Sequence, residues 1–267
     1  MIKDITIGQF FPGKSPVHRM DSRVKIVLTM FFIVMLFVAD NIFGLFVGIG
    51  FTALAYTLSR IPFSMILKSL KPIIPIIIFT AILNLFFIRT GDVLLKAGFI
   101  MITRNGVNTA VYMIVRIICL IVGTSLLTYT TSPIDLTDAI ERLLSPLKKL
   151  KLPVHELAMM MTIALRFIPT LIEETDKIMS AQKARGADME TGSLIKRAKA
   201  LVPVLIPLFV SSFRRAEELA LAMECRCYHG GEGRTRMKQL KTSSLDYIAI
   251  AVTVMFFAGV IVINHLI

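Results

Sequence analysis

The stretch VKIVLTMFFIVMLFVADNIFGLFVGIGFTALAYTL, residues 24–58, is almost wholly apolar. After Lys25 at its start, only Asp40-Asn41 and a few small or hydroxyl residues interrupt it. A helical span needs roughly 17–25 residues, so thirty-five is too long for one crossing. The reading that fits is a hairpin of two short helices, 24–39 and 42–58, turning at Asp40-Asn41. A third span is expected over 72–88, a fourth over 107–129 and a fifth over 245–267. The apolar piece 93–103, bracketed by Gly91-Asp92 and Asn105-Gly106, is too short to cross, and a re-entrant segment and a hairpin both fit it.

Composition agrees with this reading. Of 267 residues, 55% are hydrophobic and 18% charged, with a mean hydropathy of +0.73. Soluble domains carry about 25% charged residues, so the balance points to a membrane protein. The net charge of +12 would suit nucleic acid only on a soluble basic module, and none is visible. Basic loops facing anionic lipid account for it better. Three cysteines without a framework of spacings exclude a disulfide-stapled fold. Residues 1–23 lack the short apolar core and cleavage site of a signal peptide, so the first span is expected to direct insertion.

Basic residues set the expected orientation. Segments 1–25, 60–71 and 130–243 hold 26 of the 30 Lys and Arg, and the opposite connections carry only Arg89, Lys96 and Arg104. The expected topology has a cytoplasmic N-terminus and an extracellular C-terminus. The organisation is then a membrane region of four spans over 1–129, cytoplasmic coupling helices over 130–243 and a last span over 244–267. Arg116 is the one charge deep in a span, with no acidic residue in a neighbouring span to pair with it. It is expected to find a backbone carbonyl or to snorkel.

Segment 130–243 is too charged for spans and too apolar for a solvated loop. Ser132-Pro133 opens a short amphipathic helix that ends near Lys148-Lys149-Leu150-Lys151. A second helix starts at Pro153 and runs to about Ala184, with an apolar face through Val154, Leu157, Met161, Leu165 and Ile168. Ser193 caps a third, which passes Pro203 and Pro207 and ends near Arg226. The two long helices end alike, on Ala181-Gln182-Lys183-Ala184-Arg185-Gly186 and Ala222-Met223-Glu224-Cys225-Arg226-Cys227. Both read Ala-x-x-small-Arg-small, forty-one residues apart. An Arg between small neighbours can enter a socket and offer its planar fork to carboxylates or carbonyls. The plainer reading, a cation answering the helix dipole, serves one such ending well and two less well.

The chain resembles the transmembrane T component of energy-coupling factor transporters, bacterial and archaeal vitamin and trace-metal uptake systems, over essentially its whole length. The likeness is carried by the Gly8–Asp21 stretch GQFFPGKSPVHRMD, by Leu165-Arg166-Phe167-Ile168-Pro169, by Ala184-Arg185-Gly186, and by Glu224-Cys225-Arg226-Cys227-Tyr228 running into Gly230-Gly231-Glu232-Gly233-Arg234. The resemblance implies an all-α membrane protein without catalytic site, metal or cofactor. It implies that Arg185 and Arg226, with Ala184, Gly186, Cys225 and Cys227 around them, dock two ABC-type ATPase subunits. It also implies that the same helices cradle a substrate-binding S component. Cysteines replace the small Ala and Gly often seen around the second Arg. Met159, Met160 and Met161, with Leu165, are the expected S-component contacts, because flexible thioethers suit surfaces that accept several partners.

Other chemistries find no support. The Gly230–Thr235 run lacks the phosphate-loop pattern. Cys225, Cys227 and His229 have no convincing fourth ligand. A membrane enzyme would need a nucleophile, metal or acid pair beside the spans. An ordinary permease predicts one coupling loop and polar spans.

Overall fold

The computed structural model describes residues 9–39, 41–88, 90, 92–97, 100–150, 152–187, 193–230 and 240–266. In chain order the elements are α1 (Pro16–Arg19), α2 (Ser22–Val38), α3 (Ile42–Ser59), α4 (Phe63–Leu70), α5 (Ile74–Phe87), β1 (Val93–Ala97), β2 (Ile100–Thr103), α6 (Arg104–Thr130), α7 (Pro133–Leu143), α8 (Val154–Ala184), α9 (Leu194–Glu224) and α10 (Ser244–Leu266). The protein is an all-α membrane protein. Its contacts divide into two units, one of Gln9–Ala139 with Gln239–Ile267, the other centred on Ile140–Lys238.

In the first unit α2 packs on α3, α6 and α10, and α5 packs on α6. Phe32, Met35, Leu36, Ala39, Cys119 and Val260 form one buried cluster, and Tyr56, Ile61, Val122 and Tyr129 a second. The helices approach closely where a side chain is missing: a Cβ on Gly123 would lie 2.1 Å from the Phe32 ring. Small residues at helix contacts serve this purpose in membranes, where burial of apolar surface against lipid gains little. The buried tyrosines also find acceptors. Tyr56 donates to the Val122 carbonyl (2.9 Å) and Tyr129 to that of Met65 (3.1 Å).

One end of this unit is tied by polar groups. Asp21 caps α2, accepting from the Arg23 amide at 2.9 Å and pairing with its guanidinium at 2.6 Å. Its own amide donates to Asp246 Oδ1 (2.9 Å), while Asp246 Oδ2 accepts from the Ser243 amide (2.6 Å). Lys25, only 6% exposed, donates to the carbonyls of His18 (3.2 Å) and Thr130 (2.8 Å). His18 is held in turn. Its Nε2–H donates to the Phe11 carbonyl (2.9 Å) and its Nδ1 accepts from the Ser15 hydroxyl (2.7 Å).

Among the described residues, five stretches are long and apolar enough to cross a membrane: Ile42–Ser59, Phe63–Phe87, Arg104–Thr130, Val154–Ala184 and Ser244–Leu266. The expected number recurs with a different membership. The helix α2 has 17 residues, about 25 Å, less than the ~30 Å hydrocarbon core. The helix α8, expected among the coupling helices, is apolar enough to qualify. The expected basic connection over 60–71 is itself largely helical. Pro62 precedes α4, and a short 3-10 turn at Lys71–Ile73 absorbs Pro72 before α5. The piece 93–103 is a hairpin: β1 and β2 pair antiparallel, Val93 opposite Thr103 and Ala97 opposite Ile100. Thr103 then caps α6, accepting from the Gly106 amide at 3.2 Å. Asp40, Arg89 and Gly91 lie outside the described residues.

Arg116 finds a backbone carbonyl, one of the two expected outcomes. It donates to the Ala39 carbonyl at the C-terminus of α2 (2.6 Å) and lies 4.6 Å from the Tyr112 ring centroid. A cation there answers both the helix dipole and an orphan carbonyl.

Asp246→Ala is expected to destabilise the chain by about 1–3 kcal/mol, because two amides lose their buried acceptor. Thermal unfolding in detergent checks this, and Asp246→Asn, which keeps one carbonyl oxygen, is expected to cost less.

Candidate coupling site

The second unit is built on α8 and α9, each of 31 residues and about 46 Å long. Pro153 stands before α8, and Val154 and Ala158 are buried at its start. Glu141 on the last part of α7 meets His155 Nδ1 at 3.0 Å and holds that end. Ser193 caps α9, accepting from the Lys196 amide at 3.4 Å. The two helices contact each other in reverse order along the chain. Glu174 takes Arg215 at 2.7 Å and accepts from the Ser211 hydroxyl, while the Gln182 amide donates to the Pro203 carbonyl at 3.2 Å. Pro203 and Pro207 leave the helix interior without two amide donors. That frees carbonyls one turn earlier for outside partners.

The helix endings are the same backbone motif twice. At the end of α8 the Gly186 amide donates to the Lys183 carbonyl (3.0 Å) and the Ala187 amide to that of Gln182 (3.0 Å). At the end of α9 the Cys227 amide donates to Glu224 (2.8 Å) and the Tyr228 amide to Met223 (3.0 Å). This paired closure, with the residue after the cap in the left-handed region, is the Schellman motif. Gly186 has φ +86° and Cys227 φ +54°. The forty-one-residue repeat seen in sequence is thus a repeat of hydrogen bonds, and Arg185 and Arg226 occupy the same position in each. Both are exposed, as are Ala184, Gly186, Cys225 and Cys227.

Because α8 and α9 run in opposed directions past their contact, the two arginines lie on opposite sides of it. Arg185 is about 5 Å along α8 beyond Gln182, and Arg226 roughly 16 Å along α9 beyond Arg215. Each ends a rigid rod with its charge in solvent and one turn locked behind it. Such ends can transmit force in both directions.

The expected S-component residues divide by exposure. Met160 (55%) and Met161 (47%) are open, whereas Met159 and Leu165 are half-buried. Met189 lies outside the described residues. Sequence reading missed a broader surface. Val202, Leu205, Ile206, Phe209 and Phe213 of α9 are all exposed, an apolar stripe large enough to mark an interaction face. Its three-to-four-residue spacing was the available signal.

The family model described as Cobalt transport protein (CbiQ) matches residues 13–237. The chain is 54% identical over 265 residues to the energy-coupling factor transporter transmembrane protein EcfT of Ruminiclostridium cellulolyticum, covering 99% of both chains. It is 57% identical over 252 residues to that of Clostridium kluyveri, covering 93% of both, and 49% identical over 247 residues to that of Bacillus subtilis, covering 92% of this chain and 93% of the relative. The chain therefore belongs to the family of transmembrane components of energy-coupling factor transporters.

The left-handed residues separate two outcomes. Gly186→Ala is expected to loosen the α8 ending by about 1 kcal/mol, since a Cβ is disfavoured there. Cys227→Gly is expected to tighten the α9 ending by a similar amount. Hydrogen exchange at the Ala187 and Tyr228 amides reads each change directly.

Proposed function

We infer that this chain is the mechanical link of an ATP-driven importer. In this reading Arg185 and Arg226 each dock into one of two ABC-type ATPase subunits, and the apolar faces of α8 and α9 hold a substrate-binding S component. The observation that carries it is the pair of identical backbone endings, each presenting one exposed Arg between small residues. One helix-end cation would need no such repetition. The ATP chemistry then belongs to the partners, and motion at the two sockets reaches the S component through rigid helices.

The membrane arrangement that fits this role takes α2, not α8, as a span. The helix α2 packs among α3, α6 and α10, and a short span is accommodated by local thinning. The helix α8 carries Glu173, Glu174, Asp176, Lys177 and Lys183 in its second half, beyond what a crossing tolerates. With α8 and α9 along the cytoplasmic surface, the N-terminus is inside and the C-terminus outside. Single cysteines at Lys14 and Ile42 test this: an impermeant thiol reagent is expected to reach the first only in opened cells and the second in intact ones. Labelling of Lys14→Cys in intact cells would reverse the orientation.

The arginines are tested by co-purification of the ATPase subunits together with substrate uptake. Truncating one partner of a buried charged pair costs about 2–5 kcal/mol, or roughly 30-fold to a few thousand-fold in affinity. Arg185→Ala and Arg226→Ala are each expected to weaken the complex, with Glu worse than Ala at both positions. The double Glu variant is expected to release both subunits while the chain still inserts. Wild-type recovery of both ATPases with that variant would return the arginines to plain helix-end charges.

A further inference from the structure

The first unit contains a groove of about 350 Å³ between α2, α3, α6 and α10 that the coupling role does not use. It begins at one end of the helices, beside Pro16, Leu58, Thr130 and Leu245, and reaches inward to Phe32, Phe51, Gly123 and Thr253. From Leu245 to Thr253 is eight residues along α10, so the groove runs about 12 Å into the bundle.

The polar hydrogens of its wall are all committed within the protein. The hydroxyls of Thr29, Thr52, Thr130 and Thr253 each donate to a carbonyl of their own helix, at 2.8 Å in every case. The Lys25 ammonium is engaged by the His18 and Thr130 carbonyls and by Thr131 Oγ1. An apolar space of this kind stays dry unless hydrocarbon fills it. Its side is open, because Leu54, Leu58 and Ile248 are 39%, 47% and 59% exposed.

Cations predominate at the rim. Lys14, Arg19 and Arg60 are exposed, and they flank the lining residues Pro16, Met20 and Leu58 in the chain. The helix α1, which ends at Arg19, packs on α3, which is followed by Arg60. Of the carboxylates next to the groove, Asp21 and Asp246 are buried at 6% and 1% exposure and are spent on amides and Arg23, while the half-buried Asp135 faces Lys25 and accepts from the Ser132 hydroxyl. We propose that the groove holds one acyl chain of an anionic phospholipid, whose headgroup phosphate is met by Lys14, Arg19 and Arg60. The lipid then completes the packing of four helices whose own side chains leave a void, and it anchors the polar end of the unit at the interface.

The test uses the full chain in nanodiscs of equimolar dioleoyl phosphatidylglycerol and dioleoyl phosphatidylcholine, with the lipid retained on release measured by native mass spectrometry. Each basic residue near an anionic headgroup is worth roughly fivefold, so phosphatidylglycerol is expected to be retained at least about tenfold over phosphatidylcholine. Lys14→Gln/Arg19→Gln/Arg60→Gln is expected to erase that preference while leaving one lipid bound. Ala249→Phe, which fills the groove, is expected to lose both lipids. A phosphatidylglycerol with a photoreactive acyl chain, used on the unaltered protein, is expected to label 28–32, 51–58 or 245–253. That arm does not depend on any variant folding. Equal retention of the two lipids by the unaltered protein, or labelling confined to residues outside those stretches, overturns the proposal.

Discussion

Two buried charges near one end of the membrane unit hold its geometry. Asp246, at the start of α10, accepts the amide of Asp21, which caps α2. Lys25, in the first turns of α2, reaches the last carbonyl of α6 at Thr130. The first contact joins residues 225 apart in sequence, the second residues 105 apart. Three helix ends are therefore fixed at one level by groups that cannot be satisfied elsewhere once they leave water. In lipid, apolar contact between helices adds little directional preference. Polar ties at the ends consequently decide the register of α2 against α6 and α10, and the apolar clusters of Phe32 and Val122 fill in around that register.

Much of this was legible in the sequence, and the exceptions share a cause. The bounds of α8 and α9 followed from local signals, Ser193 as a cap and Gly186 as a left-handed stop, because capping needs only neighbours in sequence. The repeat around Arg185 and Arg226 was visible for the same reason. The helix α4 was read as a connection because Arg60, Lys68 and Lys71 raise its polarity, yet three cations in twelve residues still leave an apolar face. The hairpin at 93–103 could not be distinguished from a re-entrant piece by periodicity in eleven residues. Lys25 and Asp246 were passed over altogether. A single charge at a helix start looks like ordinary flanking polarity, and only tertiary contact shows that it is buried.

The two long-helix endings are alike in their backbone more than in their side chains. Among the described residues, the elements that repeat are backbone hydrogen bonds, a left-handed residue and one exposed guanidinium per helix end. A Schellman closure fixes the last turn, so displacement at the Arg moves the whole rod and is not dissipated by fraying. The second ending reaches the left-handed conformation with Cys227, a residue that pays a steric penalty there which Gly186 avoids. The turn therefore tolerates a Cβ at this position. In the proposed docking, bulk near the guanidinium would matter more than the identity of the small neighbour.

The two units meet different physical demands with different means. In the membrane unit most polar groups are satisfied internally, down to the threonine hydroxyls returned to their own helices. In the α8–α9 unit, long helices contact over a short stretch through Glu174, Arg215 and Gln182 and leave their apolar faces open. A contact tied by polar side chains constrains rotation less than an interlocked apolar core does. In the proposed role as a mechanical link, polar ties of this kind would let the two apolar faces change their angle, a movement that an interlocked apolar core would oppose.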